Sequence, residues 1–208
     1  MTCLFLLNKW LTIFCRSLDL CPCKRQEDTH VEELGVHTSR ITVGGQSAGG
    51  NLAAALALKA RDEGGPHLAF QLLEVPGLDL TFGHLRREFS SGYALSLRDL
   101  ELVRHDYLKS PEEATNPYAS PLLAPDLSGL SPALIMTAEY DVLRGEAYAK
   151  RLEQAGVPVT YSMQQGHVHV SASMTKVMAA ARAWREAVLT ALRRVNEQSE
   201  TAQAGEQK

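Results

Sequence analysis

Ser47 stands in Gly45-Gln46-Ser47-Ala48-Gly49, a G-x-S-x-G between the β-branched residues 41–43 and the alanine- and leucine-rich stretch 51–61. Placed between a strand and a helix, this pattern suits a tight turn that strains the serine backbone and therefore needs small neighbours. Such a turn lifts the hydroxyl clear of the chain and sets it at a helix start. The backbone N–H of Ala48 can then face a developing oxyanion. A serine hydroxyl is a poor nucleophile by itself. It needs a base to take its proton and an acid to orient that base.

Of the seven histidines, His30, His37, His67, His84 and His105 precede the last strand candidate and read as solvated surface residues. His167 and His169 lie in the loop just after that strand, and Asp141 directly follows the strand candidate 133–138, in Ala138-Glu139-Tyr140-Asp141. The serine, the acid and this histidine pair thus each fall at the C-terminal end of a strand, where the sites of parallel sheets assemble.

The elements that must hold these residues alternate along the chain. Strands are expected at 41–43, 68–75, 133–138 and 157–163, and helices at 51–61, 145–154 and 174–195. In the last helix Val177, Ala181, Trp184, Val188 and Leu192 share one face. Residues 84–110 suit one or two surface helices, and 111–132 form a long connection punctuated by proline. Apolar strands alternating with helices imply an α/β fold, with a parallel sheet covered on both faces. One domain is expected over 29–195, followed by a polar, disordered tail over 196–208.

Composition narrows the classes. The chain has 208 residues, 45% hydrophobic and 22% charged, with a net charge of −3. That balance argues against a nucleic-acid partner, which requires clustered Lys and Arg. No run of apolar residues is long enough to span a membrane.

All four cysteines, Cys3, Cys15, Cys21 and Cys23, lie near the start, and Cys-Pro-Cys lacks zinc-ligand spacing. Neither a disulfide framework nor a metal is expected, and the body reads as reduced and cytoplasmic. Residues 1–28 differ from the rest. Leu4, Leu7, Leu11, Phe14 and Leu18 recur at helical spacing and suit a short helix docked on the body, with a membrane-surface anchor as the alternative.

The run Gly45-Gln46-Ser47-Ala48-Gly49-Gly50-Asn51-Leu52-Ala53 resembles the signature of the hormone-sensitive-lipase-like esterases, the α/β-hydrolase fold-3 family. Tyr118-Ala119-Ser120-Pro121-Leu122, Ala138-Glu139-Tyr140-Asp141-Val142-Leu143-Arg144 and Tyr148-Ala149-Lys150-Arg151-Leu152 extend the likeness over about 29–195. The resemblance implies Ser47 as nucleophile, Asp141 as orienting acid, Ala48 as an oxyanion donor and His169, in Gly166-His167-Val168-His169, as general base. It implies a small-molecule ester substrate, an acyl-enzyme and no cofactor. It also equates the four strands with strands 5–8 of the family's sheet, giving a partial α/β-hydrolase fold flanked by helices.

Departures from the pattern carry expectations of their own. His169-Val170-Ser171 replaces the usual His-Gly-Phe, Val142 replaces a proline, and Gly145 stands where an acidic residue is common. The family's His-Gly-Gly-Gly oxyanion loop has no counterpart, since no His-Gly-Gly occurs in the sequence. Expected consequences are impaired turnover and self-association through an exposed sheet edge at residues 41–43. Two other readings stand beside the enzyme. One is a non-catalytic binding protein that keeps half of the hydrolase fold. The other is an incomplete gene model, in which residues 1–28 are translated flanking sequence.

Overall fold

The alternation of apolar and small residues along four short runs builds one parallel sheet. In the computed structural model, which describes residues 41–206, these runs are β1 (Thr42–Gln46), β2 (Phe70–Glu74), β3 (Ala133–Ala138) and β4 (Val159–Gln164). They lie in the order β1-β2-β3-β4 and pair parallel throughout. Gly44 sits opposite Leu72, Leu72 opposite Leu134, and Leu134 opposite Thr160, so one row of residues crosses the whole sheet.

Parallel neighbours need crossovers, and helices supply two of them. Helix α1 (Ala48–Asp62) joins β1 to β2. The longer passage from β2 to β3 contains a single turn at Arg87–Phe89, helix α2 (Leu97–Tyr107) and two more 3-10 turns at Pro111–Thr115 and Pro121–Leu123. Helix α2 is capped by Ser96 and Asp99, which hydrogen-bond each other's backbone N–H, and buries none of its residues. Helix α3 (Glu146–Gln154) joins β3 to β4, and α4 (Ala179–Glu206) closes the fold.

Because successive strand residues face opposite ways, the sheet carries two cores. Val43, Leu73, Ala133 and Ile135 pack with Ala54 and Leu58 of α1 and with Tyr148 and Leu152 of α3. Phe70, Leu72, Leu134 and Met136 pack on the other side against Trp184 and Val188 of α4. Gly145 belongs to this packing, since a Cβ there would lie 2.8 Å from the Thr137 methyl. An acidic side chain has no room at that position.

The partial α/β-hydrolase architecture expected of the sequence is the one observed, with two corrections. Helix α4 begins at Ala179, not 174, because the loop beyond β4 continues through a turn at Ser171–Ser173 and the bonds of Val177 and Met178 to the Met174 carbonyl. Val177 is accordingly exposed and does not join the buried face of Ala181, Trp184 and Val188. The second correction concerns the disordered tail expected over 196–208, since α4 continues to Glu206. Alanine, glutamate and glutamine dominate that stretch, and their helix propensities are high.

The expectations for segment 1–28, including its short helix, lie outside the described residues. Among the described residues β1 pairs with β2 alone, and no helix is long and apolar enough to cross a membrane.

Candidate active site

The turn between β1 and α1 is built from the absence of side chains. A Cβ on Gly45 would meet the Gly49 carbonyl carbon at 2.4 Å, and one on Gly50 would meet the Pro76 ring at 2.8 Å. These two glycines let β1 fold sharply onto α1. Ser47, at the junction, has φ 58° and ψ −119°, a backbone region that non-glycine residues rarely occupy. Its N–H donates to the Glu74 carbonyl (2.9 Å), which ties the turn to the end of β2. Its side chain is half-exposed, and Ala48 beyond it is exposed at the first turn of α1. Helical N–H groups at that turn have no partner within the helix and point outward along the positive end of its dipole.

Asn51 braces the turn from below. This buried amide donates from Nδ2 to the Gly77 carbonyl (2.6 Å) and to the Ala119 carbonyl (2.8 Å). Ser120, fully buried beside it, accepts from Leu80 N–H and donates to the Ala114 carbonyl. The loops after β2 and before β3 are thereby fixed to α1.

Asp141 and His169 come from the loops after β3 and β4. His169 Nδ1 lies 2.7 Å from Asp141 Oδ2, with both side chains buried. The second Asp141 oxygen accepts from Leu143 N–H at 3.1 Å. His169 Nε2 lies 2.7 Å from Ser47 Oγ, across 122 residues of sequence. The structure therefore brings together all three side chains singled out from the sequence, with Ala48 beside them. The two loops are also bonded to each other. Tyr140 N–H donates to the His167 carbonyl, and Gly166 N–H donates to the Glu139 carboxylate.

Residues 19–173 match the alpha/beta hydrolase fold family. The chain belongs to this family. Its signature around Ser47 places it in the hormone-sensitive-lipase-like branch. It is 43% identical to the carboxylic ester hydrolase LipN of Mycobacterium tuberculosis over 62% of its own length and 36% of that protein's. It is 42% identical to an arylesterase of Saccharolobus solfataricus, over 66% of this chain and 46% of the relative. Among solved structures it resembles a hyperthermophilic esterase from the archaeon Pyrobaculum calidifontis, with a TM-score of 0.76 and 34% identity over 85% of this chain and 59% of that one. The chain spans about half the length of the curated relatives it matches, or less.

Within this hydrolase fold, Glu74, Ser171 and Asp79 were not singled out in the sequence, and His167 stood there only beside His169. Glu74, at the end of β2, is buried and accepts from the Trp184 indole N–H at 2.7 Å. Burial pushes its carboxyl above the ordinary value, against the Trp184 hydrogen bond and the positive charge of Arg185. A lone glutamate in an apolar strand was the available signal. His167 and Ser171 form a second buried pair, with Nδ1 and Oγ 2.7 Å apart. Asp79 accepts from Thr81 and faces His84 Nδ1 at 2.8 Å. Burial would raise the Asp79 carboxyl, but these hydrogen bonds outweigh it and bring it below the ordinary carboxylate value. His84 and His105 are exposed yet bonded to neighbouring carboxylates, and His67 is exposed. Among the described residues no cluster of histidine, cysteine and carboxylate is disposed to hold a metal.

Proposed function

We propose that this chain carries the catalytic serine, histidine and aspartate of a carboxylic-ester hydrolase acting on small-molecule esters. The observation that carries the reading is the continuous contact Ser47 Oγ to His169 Nε2 and His169 Nδ1 to Asp141 Oδ2, each 2.7 Å. His169 Nε2 takes the Ser47 proton as the oxygen attacks the ester carbonyl. Asp141 accepts from Nδ1–H, fixing the tautomer that leaves Nε2 free to act and stabilising the imidazolium that forms. The Ala48 N–H donates to the oxyanion. His169 returns the proton to the departing alcohol, which leaves Ser47 acylated. Water, deprotonated by the same nitrogen, then releases the acid. The relatives named as ester hydrolases support the same reaction class.

Each oxyanion donor is worth about 10²–10³ in rate. Ala48 is the donor that the signature provides. Self-association along β1, whose outer edge has no partner among the described residues, is a further part of the proposal. Sedimentation of the purified chain tests that element, and a monomer at all concentrations removes it.

The deciding experiment incubates the chain with a fluorophosphonate and with short-chain p-nitrophenyl esters, alongside Ser47→Ala. Labelling and hydrolysis that both vanish in Ser47→Ala support the hydrolase. A folded chain that gives neither signal overturns it in favour of a hydrolase-like binding protein.

A further inference from the structure

The loop after β4 delivers His169 to Ser47 although Val170 and Ser171 occupy the places where the resembled family usually has glycine and phenylalanine. Val170 is exposed, whereas Ser171, in the phenylalanine place, is polar and buried. Ser171 is 1% exposed, and its Oγ lies 2.8 Å from the Val168 carbonyl and accepts from the Val168 N–H (3.0 Å). His167 Nδ1 stands 2.7 Å from the same oxygen. A hydroxyl has one proton, and the Val168 carbonyl, which can only accept, shares the surroundings of that proton with His167 Nδ1. The contact to His167 Nδ1 is donated by the ring in its Nδ1–H tautomer and by Ser171 in the other. His167 Nε2, the other ring nitrogen, is buried, and the Ala180 backbone favours the protonated ring.

His167 also touches both sides of the site. Its ring meets Trp184 edge-on, with centroids 5.0 Å apart, and Trp184 donates to Glu74, whose carbonyl receives the Ser47 N–H. Its own carbonyl accepts from Tyr140 N–H, next to Asp141. None of these groups bonds to Ser47 Oγ or to the His169 ring. They bond the backbone of Val168, Tyr140 and Ser47.

We propose that His167 and Ser171 are a pair of positioning residues, whose hydrogen bond shapes the loop so that His169 spans Ser47 and Asp141. This inference rests on the proposed hydrolase reading. A base held by its loop loses reactivity when the loop relaxes, because a displacement of about 1 Å can cost about 10²-fold in rate.

The test compares Ser171→Ala and His167→Leu, which break the pair, with Ser171→Thr and His167→Asn. Threonine keeps the hydroxyl, and the side-chain amide of the introduced asparagine offers both a donor and an acceptor in the place of Nδ1. Ester hydrolysis, fluorophosphonate labelling of Ser47 and thermal unfolding are measured on each full-length chain. The breaking variants are expected to lose about tenfold or more in kcat and in labelling rate, with KM little changed. The conservative variants are expected to return within a few-fold of the parent. Where the parent neither hydrolyses nor labels, the hydrolase reading has failed, and the pair is judged by proton NMR of the His169 Nδ1–H bonded to Asp141. That resonance is expected in the parent, Ser171→Thr and His167→Asn, and is lost or broadened by exchange in the breaking variants. Breaking variants that keep the labelling rate and the resonance overturn the proposal, as do losses that neither conservative variant rescues. If Ser171→Ala fails to fold, the contrast between His167→Leu and His167→Asn decides.

Discussion

A Cβ placed on Gly45 would stand 2.4 Å from the carbonyl carbon of Gly49, whereas one placed on Gly49 would meet nothing within 4 Å. The two outer glycines of the same motif are therefore unequal. Gly45→Ala must push β1 away from α1, an overpacking that costs about 1–3 kcal/mol and displaces Ser47 from His169. Gly49→Ala adds a strong helix former to the first turn of α1 and is expected to be neutral or stabilising by up to about 1 kcal/mol. Urea unfolding together with Ser47 labelling separates them. Equal behaviour of the two variants would contradict the turn geometry.

Strain at Ser47 is measurable apart from its chemistry. With φ 58° and ψ −119°, the residue occupies a region that costs of order 1–3 kcal/mol for a side chain with a Cβ. Ser47→Ala and Ser47→Gly both remove the hydroxyl and its contact to His169, so their difference isolates the backbone. Glycine removes the strain and gives back about 0.5–1 kcal/mol through its freer unfolded chain. Ser47→Gly is thus expected to be more stable than Ser47→Ala by about 1 kcal/mol in chemical denaturation. An alanine variant at least as stable would show that the turn stores no strain.

These two positions explain why so much of the site was legible in sequence. G-x-S-x-G is a geometric requirement written locally, so Ser47 and Ala48 could be placed by their neighbours alone. Asp141 and His169 follow strands recognisable by their apolar runs, and the parallel sheet order brings those strand ends together. Glu74, His167 and Ser171 could not be read in this way. Their roles depend on which polar atoms meet after α4 has covered the sheet, and Trp184 lies 110 residues from the carboxylate it serves. The extension of α4 to Glu206 was missed for the opposite reason. Its polar composition looked unstructured, although its backbone propensity is helical.

Asn51 carries a stability prediction of its own. Its Nδ2 is bonded to the carbonyls of Gly77 and Ala119, and removing it leaves two acceptors in or near the core without a donor. At about 1–3 kcal/mol for each stranded group, Asn51→Ala is expected to destabilise by ~2–6 kcal/mol. Asn51→Asp should do at least as badly, because an ionised carboxylate would face two carbonyl oxygens. Calorimetry of both variants checks this. A loss within about 0.5 kcal/mol, the range of an ordinary surface change, would mean that the loops after β2 and before β3 are held by other contacts.

The pH dependence of stability offers a handle on the buried pair behind the site. Burial holds the His167 imidazole below its ordinary value of 6.5, so near that pH the unfolded chain binds a proton that the folded chain refuses. Stability is then complete above 6.5 and falls as the pH drops through it, with the loss complete below the lowered folded value. Glu74 acts with the opposite sign. Its folded value is raised above 4.5, so the folded chain takes up a proton before the unfolded one does, and acidification toward 4.5 relieves the cost of burying its charge. His167→Asn should remove the loss that begins near 6.5 and leave the relief from Glu74. Trp184→Phe should enlarge that relief, since the indole donor that opposes the rise of the Glu74 carboxyl is gone. Unfolding midpoints of the parent and both variants, measured from above 6.5 down to 4.5, distinguish the two groups. An unchanged acid limb in His167→Asn would place the titrating group elsewhere.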